Sequence, residues 1–162
     1  MVFIKHDISE IESHDLHWML ADAIALVQMG RNFGAILILL CTVDALAARA
    51  YPDIKEVRKR FQTFLESVMR RPGRPQVWNI FVPPRNELLP FEYILYKYLR
   101  NPIVHEGARL ELDHPAKCSI RVDWQELRKG IKVDGENNQV ILGGELIIDV
   151  LVDAVIEGMR NI

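Results

Sequence analysis

Ala35-Ile36-Leu37-Ile38-Leu39-Leu40-Cys41-Thr42-Val43 carries one polar side chain in nine residues. A helix that is apolar nearly all round is a buried helix, so this stretch predicts the central element of an α-helical core. Asn32 is placed to cap it. Pro52 ends it near Ala50, with Tyr51 pushed toward extended backbone. The unbroken apolar run, Ala35 to Cys41, is far shorter than the roughly 20 residues of a membrane span. Met1-Val2-Phe3-Ile4-Lys5-His6-Asp7 lacks the basic-then-apolar pattern of a signal peptide. The expectation is a soluble cytoplasmic protein without a membrane segment. Asp44 interrupts the apolar surface, either as a partly buried carboxylate with a helix-face partner or as a site carboxylate.

Helices are expected on both sides of this one. Ser9-x-x-Glu12 is a capping box that predicts a helix from about Glu10. Leu16, Met19, Leu20, Ala23, Ile24 and Val27 recur at three- and four-residue steps as its inner face, and Gly30 is its natural stop. His14 and His17 fit a solvated helix face, since no cysteine or carboxylate cluster accompanies them. Asp53-x-x-Glu56 opens a third helix in the same style, with Ile54, Val57, Phe61, Phe64, Leu65 and Val68 inward. Arg71 to Pro90 holds five prolines, so regular structure is expected there only as short pieces, with Trp78 and Phe81 pinning the loop to the core. A fourth helix starts near Pro90 and turns Phe91, Ile94, Leu95, Tyr98 and Leu99 inward.

Beyond Gly107 the period changes. Cys118, Ile120, Val122 and Trp124 alternate with polar residues as in a strand. Ile131–Val133 and Val140–Leu142 flank Asp134-Gly135 and Asn137-Asn138, the signature of a hairpin with an irregular turn. Gly143-Gly144 breaks the strand, and Glu145 to Asn161 reads as the last helix, with Leu146, Ile147, Val150, Leu151, Ala154 and Val155 as its apolar face. The fold class is mainly α: one domain over 1–162, a bundle of about five helices with a small β insertion at about 117–142 before the last helix.

Composition sets limits on function. The chain is 49% apolar and 26% charged with a net charge of −2, so no global field draws it to nucleic acid or anionic lipid. A local patch could. Between Lys55 and Arg74 stand Lys55, Arg58, Lys59, Arg60, Arg70, Arg71 and Arg74 against Glu56 and Glu66, a net of +5. Such a run is either a solvated face or a phosphate-backbone contact. Cys41 and Cys118 are the only cysteines, which gives neither a disulfide framework nor a zinc site. No metal or cofactor is expected.

The chemistry gathers at Leu99-Arg100-Asn101-Pro102-Ile103-Val104-His105-Glu106-Gly107. Pro102 removes a helical hydrogen bond and disfavours α geometry at Asn101, so the fourth helix should break there. On an unbroken helix, positions five apart point about 140° away from each other. A break lets Arg100 and His105 converge. An arginine offers a planar fork for phosphate oxygens. A histidine moves a proton near neutral pH, and Asn101 can orient a phosphate or hydroxyl. The set suits metal-independent cleavage of an RNA phosphodiester. It also admits a bland reading: Arg100 paired with Glu106, Asn101 a helix cap, and His105 a satisfied helix residue. The same Arg-to-His spacing recurs at Arg109 and His114 without the polar neighbour.

The string Arg100-Asn101-x-x-x-His105, with Val104-His105-Glu106-Gly107 around the histidine, resembles the signature of the HEPN superfamily of all-helical ribonucleases and binding domains. The preceding helices, the alanine-rich second one above all, are similar to that core over residues 10–108 and 145–161. The resemblance implies a homodimer whose two motifs meet in one cleft and, in catalytic members, metal-independent endoribonuclease activity. Arg100, Asn101 and His105 would then be catalytic, and RNA the substrate or ligand. Many members are instead non-catalytic modules that bind RNA, nucleotides or proteins. Some act as toxins paired with a protein antitoxin. Such toxins often carry tyrosine where Gly107 stands here.

Overall fold

The apolar stretch becomes the middle of one uninterrupted helix, α2 (Asn32–Ala50), in the computed structural model, which describes residues 8–70, 79–100, 112–113 and 118–162. Two units divide the chain: one comprises 1–75 and 148–162, the other 76–147. The described part is mainly helical and carries two small sheets.

In the first unit α2 packs between α1 (His17–Gln28) and α3 (Val57–Met69). Its buried residues are Ala35, Ile36, Leu39, Leu40, Thr42, Val43, Leu46 and Ala47, and Thr42 satisfies its hydroxyl by donating to Ile38 O, 2.8 Å away. By length and composition α2 could cross a membrane, with a mean hydropathy of 1.9 over its best window, a property the seven-residue run alone did not reveal. Here its apolar surface packs against α1 and α3. Gly158 shows how closely α5 (Gly144–Asn161) approaches: a Cβ there would lie 2.5 Å from Phe64 Cζ and 3.1 Å from Leu46 Cδ1.

Three helix starts differ from expectation. Ser9–Ile11 is a single 3-10 turn, and α1 begins only at His17, because His14 Nδ1 accepts the Leu16 N–H at 3.1 Å and turns the backbone aside. α2 starts on Asn32 itself, with Arg31 as the flanking residue and no side-chain cap. α3 starts at Val57 rather than Asp53, since Tyr51 O accepts the Ile54 N–H at 3.2 Å and forms a separate turn. Val57 is therefore exposed and Ile54 half-buried, whereas Phe61, Phe64, Leu65 and Val68 are buried as expected. The end of α1 follows the rule for glycine. Gly30 has φ +71°, Gly30 N donates to Val27 O and Arg31 N to Leu26 O, the paired bonds of a Schellman cap.

Within the proline-rich segment, where regular structure is expected only as short pieces, the second unit carries a short hairpin. β1 (Asn79–Val82) pairs antiparallel with β2 (Glu87–Pro90). The described prolines of this segment fall in the turn, at 83 and 84, and at the strand end, at 90, where they interrupt no ladder. Asn86 closes the turn at φ +50°, a conformation asparagine tolerates. Phe81 is 57% exposed and does not pin a loop, and Trp78 lies outside the described residues. Helix α4 (Phe91–Ile94) follows at once and continues as a π-helical stretch, Leu95–Arg100, with the expected five apolar residues buried.

The second sheet has the order β3 (Leu112–Asp113), β4 (Ser119–Asp123), β6 (Gln139–Gly143), β5 (Ile131–Asp134). The hairpin β5–β6 and the strand β4 stand where the alternation put them. β6 inserts between β4 and β5, parallel to the first and antiparallel to the second. The loop after β4 is organised by Asp123, which accepts the N–H groups of Gln125 and Leu127, both at 3.0 Å. That loop lies across Gly143-Gly144. A Cβ on Gly143 would meet the Leu127 and Arg128 carbonyls, and one on Gly144 the Trp124 ring, all well inside contact distance. The glycine pair thus admits a close approach of backbone and ring as well as ending the strand.

Candidate functional site

Of the three motif residues, Arg100 is described; Asn101 and His105 lie outside the described residues. Arg100 is the last residue of the π-helical stretch. A widened turn of this kind re-aims the side chains that follow it, and such turns recur at functional sites. Arg100 is 8% exposed, and its guanidinium carbon sits 5.3 Å from the Tyr96 ring centroid. At that distance the ring face attracts and orients the cation.

α4 and the turn that follows it also carry a cluster of rings around one cation. Lys97 Nζ donates to the Tyr93 hydroxyl at 3.0 Å and lies 5.4 Å from that ring's centroid and 5.9 Å from that of Tyr98. Burial pushes the Tyr98 phenol well above the usual tyrosine range, so it stays protonated. Tyr96, Lys97 and Tyr98 follow Tyr93 by three, four and five residues, and that mixture of rings and one cation was the available signal. Glu92 is buried on the same helix, 5% exposed.

The basic segment belongs to the other unit and is less uniform than its sequence. Lys55, Arg58 and Lys59 are exposed around the start of α3. Arg58 pairs with Glu56 at 2.9 Å, and Lys55 Nζ donates to Pro52 O at 3.0 Å. Arg60 turns back to Ile54 O at 3.4 Å. Arg70 caps the far end and pairs with Glu66 at 3.1 Å. Eleven residues separate Lys59 from Arg70, about 16 Å along a helix. Lys55, Arg58 and Lys59 thus stand at the start of α3 and Arg70 at its far end, with Arg71 and Arg74 outside the described residues.

Other reactive side chains have structural employment. Arg49 grips Asp15 with both guanidinium nitrogens at 2.6 and 2.7 Å and thereby holds that carboxyl below the usual range. Burial raises the Cys118 thiol, which makes it a poor nucleophile. Arg128 Nε donates to the buried Glu145 at 2.5 Å. Among the described residues no three His, Cys, Asp or Glu side chains group as a metal site would require. His17 is half-buried rather than solvated, and its Nε2 has no hydrogen-bond partner among the described residues.

No family model, curated protein or solved structure matches the chain.

Proposed function

We propose that this chain is a metal-independent endoribonuclease with an HEPN-like helical fold, acting as a cytoplasmic homodimer. The observation that carries the reading is the placement of Arg100. It ends a π-helical turn, is oriented by the Tyr96 ring, and opens the string Arg-Asn-x-x-x-His. In the proposed reaction the ribose 2′-oxygen attacks the adjacent phosphorus and the bond to the 5′-oxygen breaks. A 2′,3′-cyclic phosphate and a 5′-hydroxyl result. His105 moves the proton, taking it from the 2′-hydroxyl or giving it to the leaving oxygen. Arg100 balances charge on the phosphorane oxygens, and Asn101 orients the phosphate. Purified protein incubated with mixed RNA in EDTA should yield cyclic-phosphate ends, and His105→Ala should cut about 10²- to 10⁴-fold more slowly, the usual worth of a general acid–base group. Undiminished cleavage by His105→Ala would overturn the role.

The burial of Arg100 favours a second reading, a non-catalytic module of the same fold. An arginine only 8% exposed as a whole residue offers little surface to a phosphate. RNA would then be held at Lys55, Arg58 and Lys59. Removing these three cations should lower the slope of log affinity against log salt by about 2 for single-stranded RNA. An unchanged slope would exclude that surface.

A further inference from the structure

A groove in the sheet-bearing unit plays no part in the RNA reading. It encloses about 560 Å3 and is bordered by Asn79, Ile80 and Phe81 of β1, with Ile131 and Val133 of β5 opposite. Successive strand residues point to opposite faces. Three consecutive residues can border one groove only where a strand presents its edge, so β1 offers its edge. Ile131 and Val133, two apart, offer a side-chain face. Leu146 adds to the apolar wall.

The edge is chemically specific. β1 pairs on one side with β2, and the partner of Asn79 is Pro90, which has no N–H to give. The Asn79–Pro90 pair therefore takes the non-hydrogen-bonded position of the antiparallel ladder, and by alternation so does Phe81–Leu88. The N–H and C=O groups of Asn79 and Phe81 then turn outward, where no strand lies beside them among the described residues. Lys129 is the one cation lining the groove among the described residues. Its side chain is 72% exposed and reaches Glu145 only at 3.9 Å, because Arg128 already engages that carboxylate.

We propose that β1 accepts an extended segment of a partner protein as a third strand. The segment carries apolar side chains at alternate positions and one carboxylate. Main-chain bonds to Asn79 and Phe81 hold it, its apolar side chains lie against Ile131, Val133 and Leu146, and its carboxylate meets Lys129. The inference is independent of ribonuclease activity.

The test is a set of acetylated hexapeptides of alternating Val and Thr, with one Glu moved through the positions, followed by fluorescence anisotropy and by amide shifts of the full chain. One register should bind saturably and shift Asn79, Phe81 and Ile131. Phe81→Pro deletes an edge N–H without costing β1 a bond to β2. It should bind about tenfold more weakly than Phe81→Ala, which loses only the ring. Thermal melts establish that both variants fold. Lys129→Glu should transfer the preference to the corresponding Lys peptide. The proposal is overturned if no peptide saturates at millimolar concentration, if Phe81→Pro and Phe81→Ala bind alike, or if a second copy of the chain occupies the edge, seen as dimerisation that Phe81→Pro abolishes.

Discussion

Each of the two units is stabilised internally by different means. In the helical unit, α2 packs through Ile36, Leu39, Leu40, Val43 and Leu46, none of them measurably exposed, and volume is what matters. In the sheet-bearing unit, the critical contacts are a loop laid across Gly143-Gly144 and two aspartates that organise turns. A core of aliphatic side chains accepts exchange at similar volume. A glycine against a carbonyl accepts nothing larger. Except at Gly158, where an added methyl would meet Phe64 and Leu46, the helical unit should therefore respond to what is removed, and the sheet-bearing unit to what is added.

The largest stability effect on the helical side should come from Leu39→Ala, which leaves a hole in the core around α2 at a cost of about 3 kcal/mol. Gly143→Ala should cost about 2 kcal/mol through one methyl group, because Leu127 O and Arg128 O must move. Gly135→Ala has open space and should be nearly silent. Urea midpoints for the three variants check the order. A silent Gly143→Ala would remove the contrast between the units.

The smallest effect separates the units by pH. Asp123 is held below the ordinary carboxylate range by the Gln125 and Leu127 N–H groups, and Asp134 by Asn137, whose amide nitrogen lies 2.8 Å from Oδ2. A lowered folded pKa contributes stability above the unfolded value, about 3.9, and loses it as pH falls through the folded value. On acidification below about pH 4, amide protection at Gln125, Leu127 and Asn137 should therefore fall before that of α2. Asp15 loses Arg49 over the same range, so the decisive comparison is the order of loss: protection at Gln125, Leu127 and Asn137 outlasting that of α2 would show that the aspartates do not organise the sheet.

The same contrast explains what was legible in the sequence. Continuous apolarity from Ala35 to Val43 and the spacing of Phe91, Ile94, Leu95, Tyr98 and Leu99 reported burial directly, because local period and tertiary contact agree. The hairpin around Asp134-Gly135 was legible for the same reason. β1–β2 was not, because prolines that punctuate a hairpin look like prolines that prevent one. The parallel pairing of β4 with β6 has no local signature, since β5 lies between them in the chain. Helix starts shifted because a histidine and a short turn competed for the backbone groups that the capping boxes were expected to satisfy. At the candidate site, residue types pointed to Arg100, but neither its burial nor its seat on Tyr96 follows from spacing, because the π-helical turn alters the period there.

Whether that buried arginine serves chemistry or packing is the question on which the functional reading turns. Arg100→Lys keeps the charge and most of the stem but loses the planar fork. Cleavage rate and melting temperature of this variant, measured side by side, decide it. The ribonuclease reading predicts cleavage lower by about 10²-fold, comparable to losing one preorganised donor, whether or not the loss of the Tyr96 seat also lowers the melting temperature. Unchanged cleavage with a lowered melting temperature would contradict it and assign Arg100 to the fold alone.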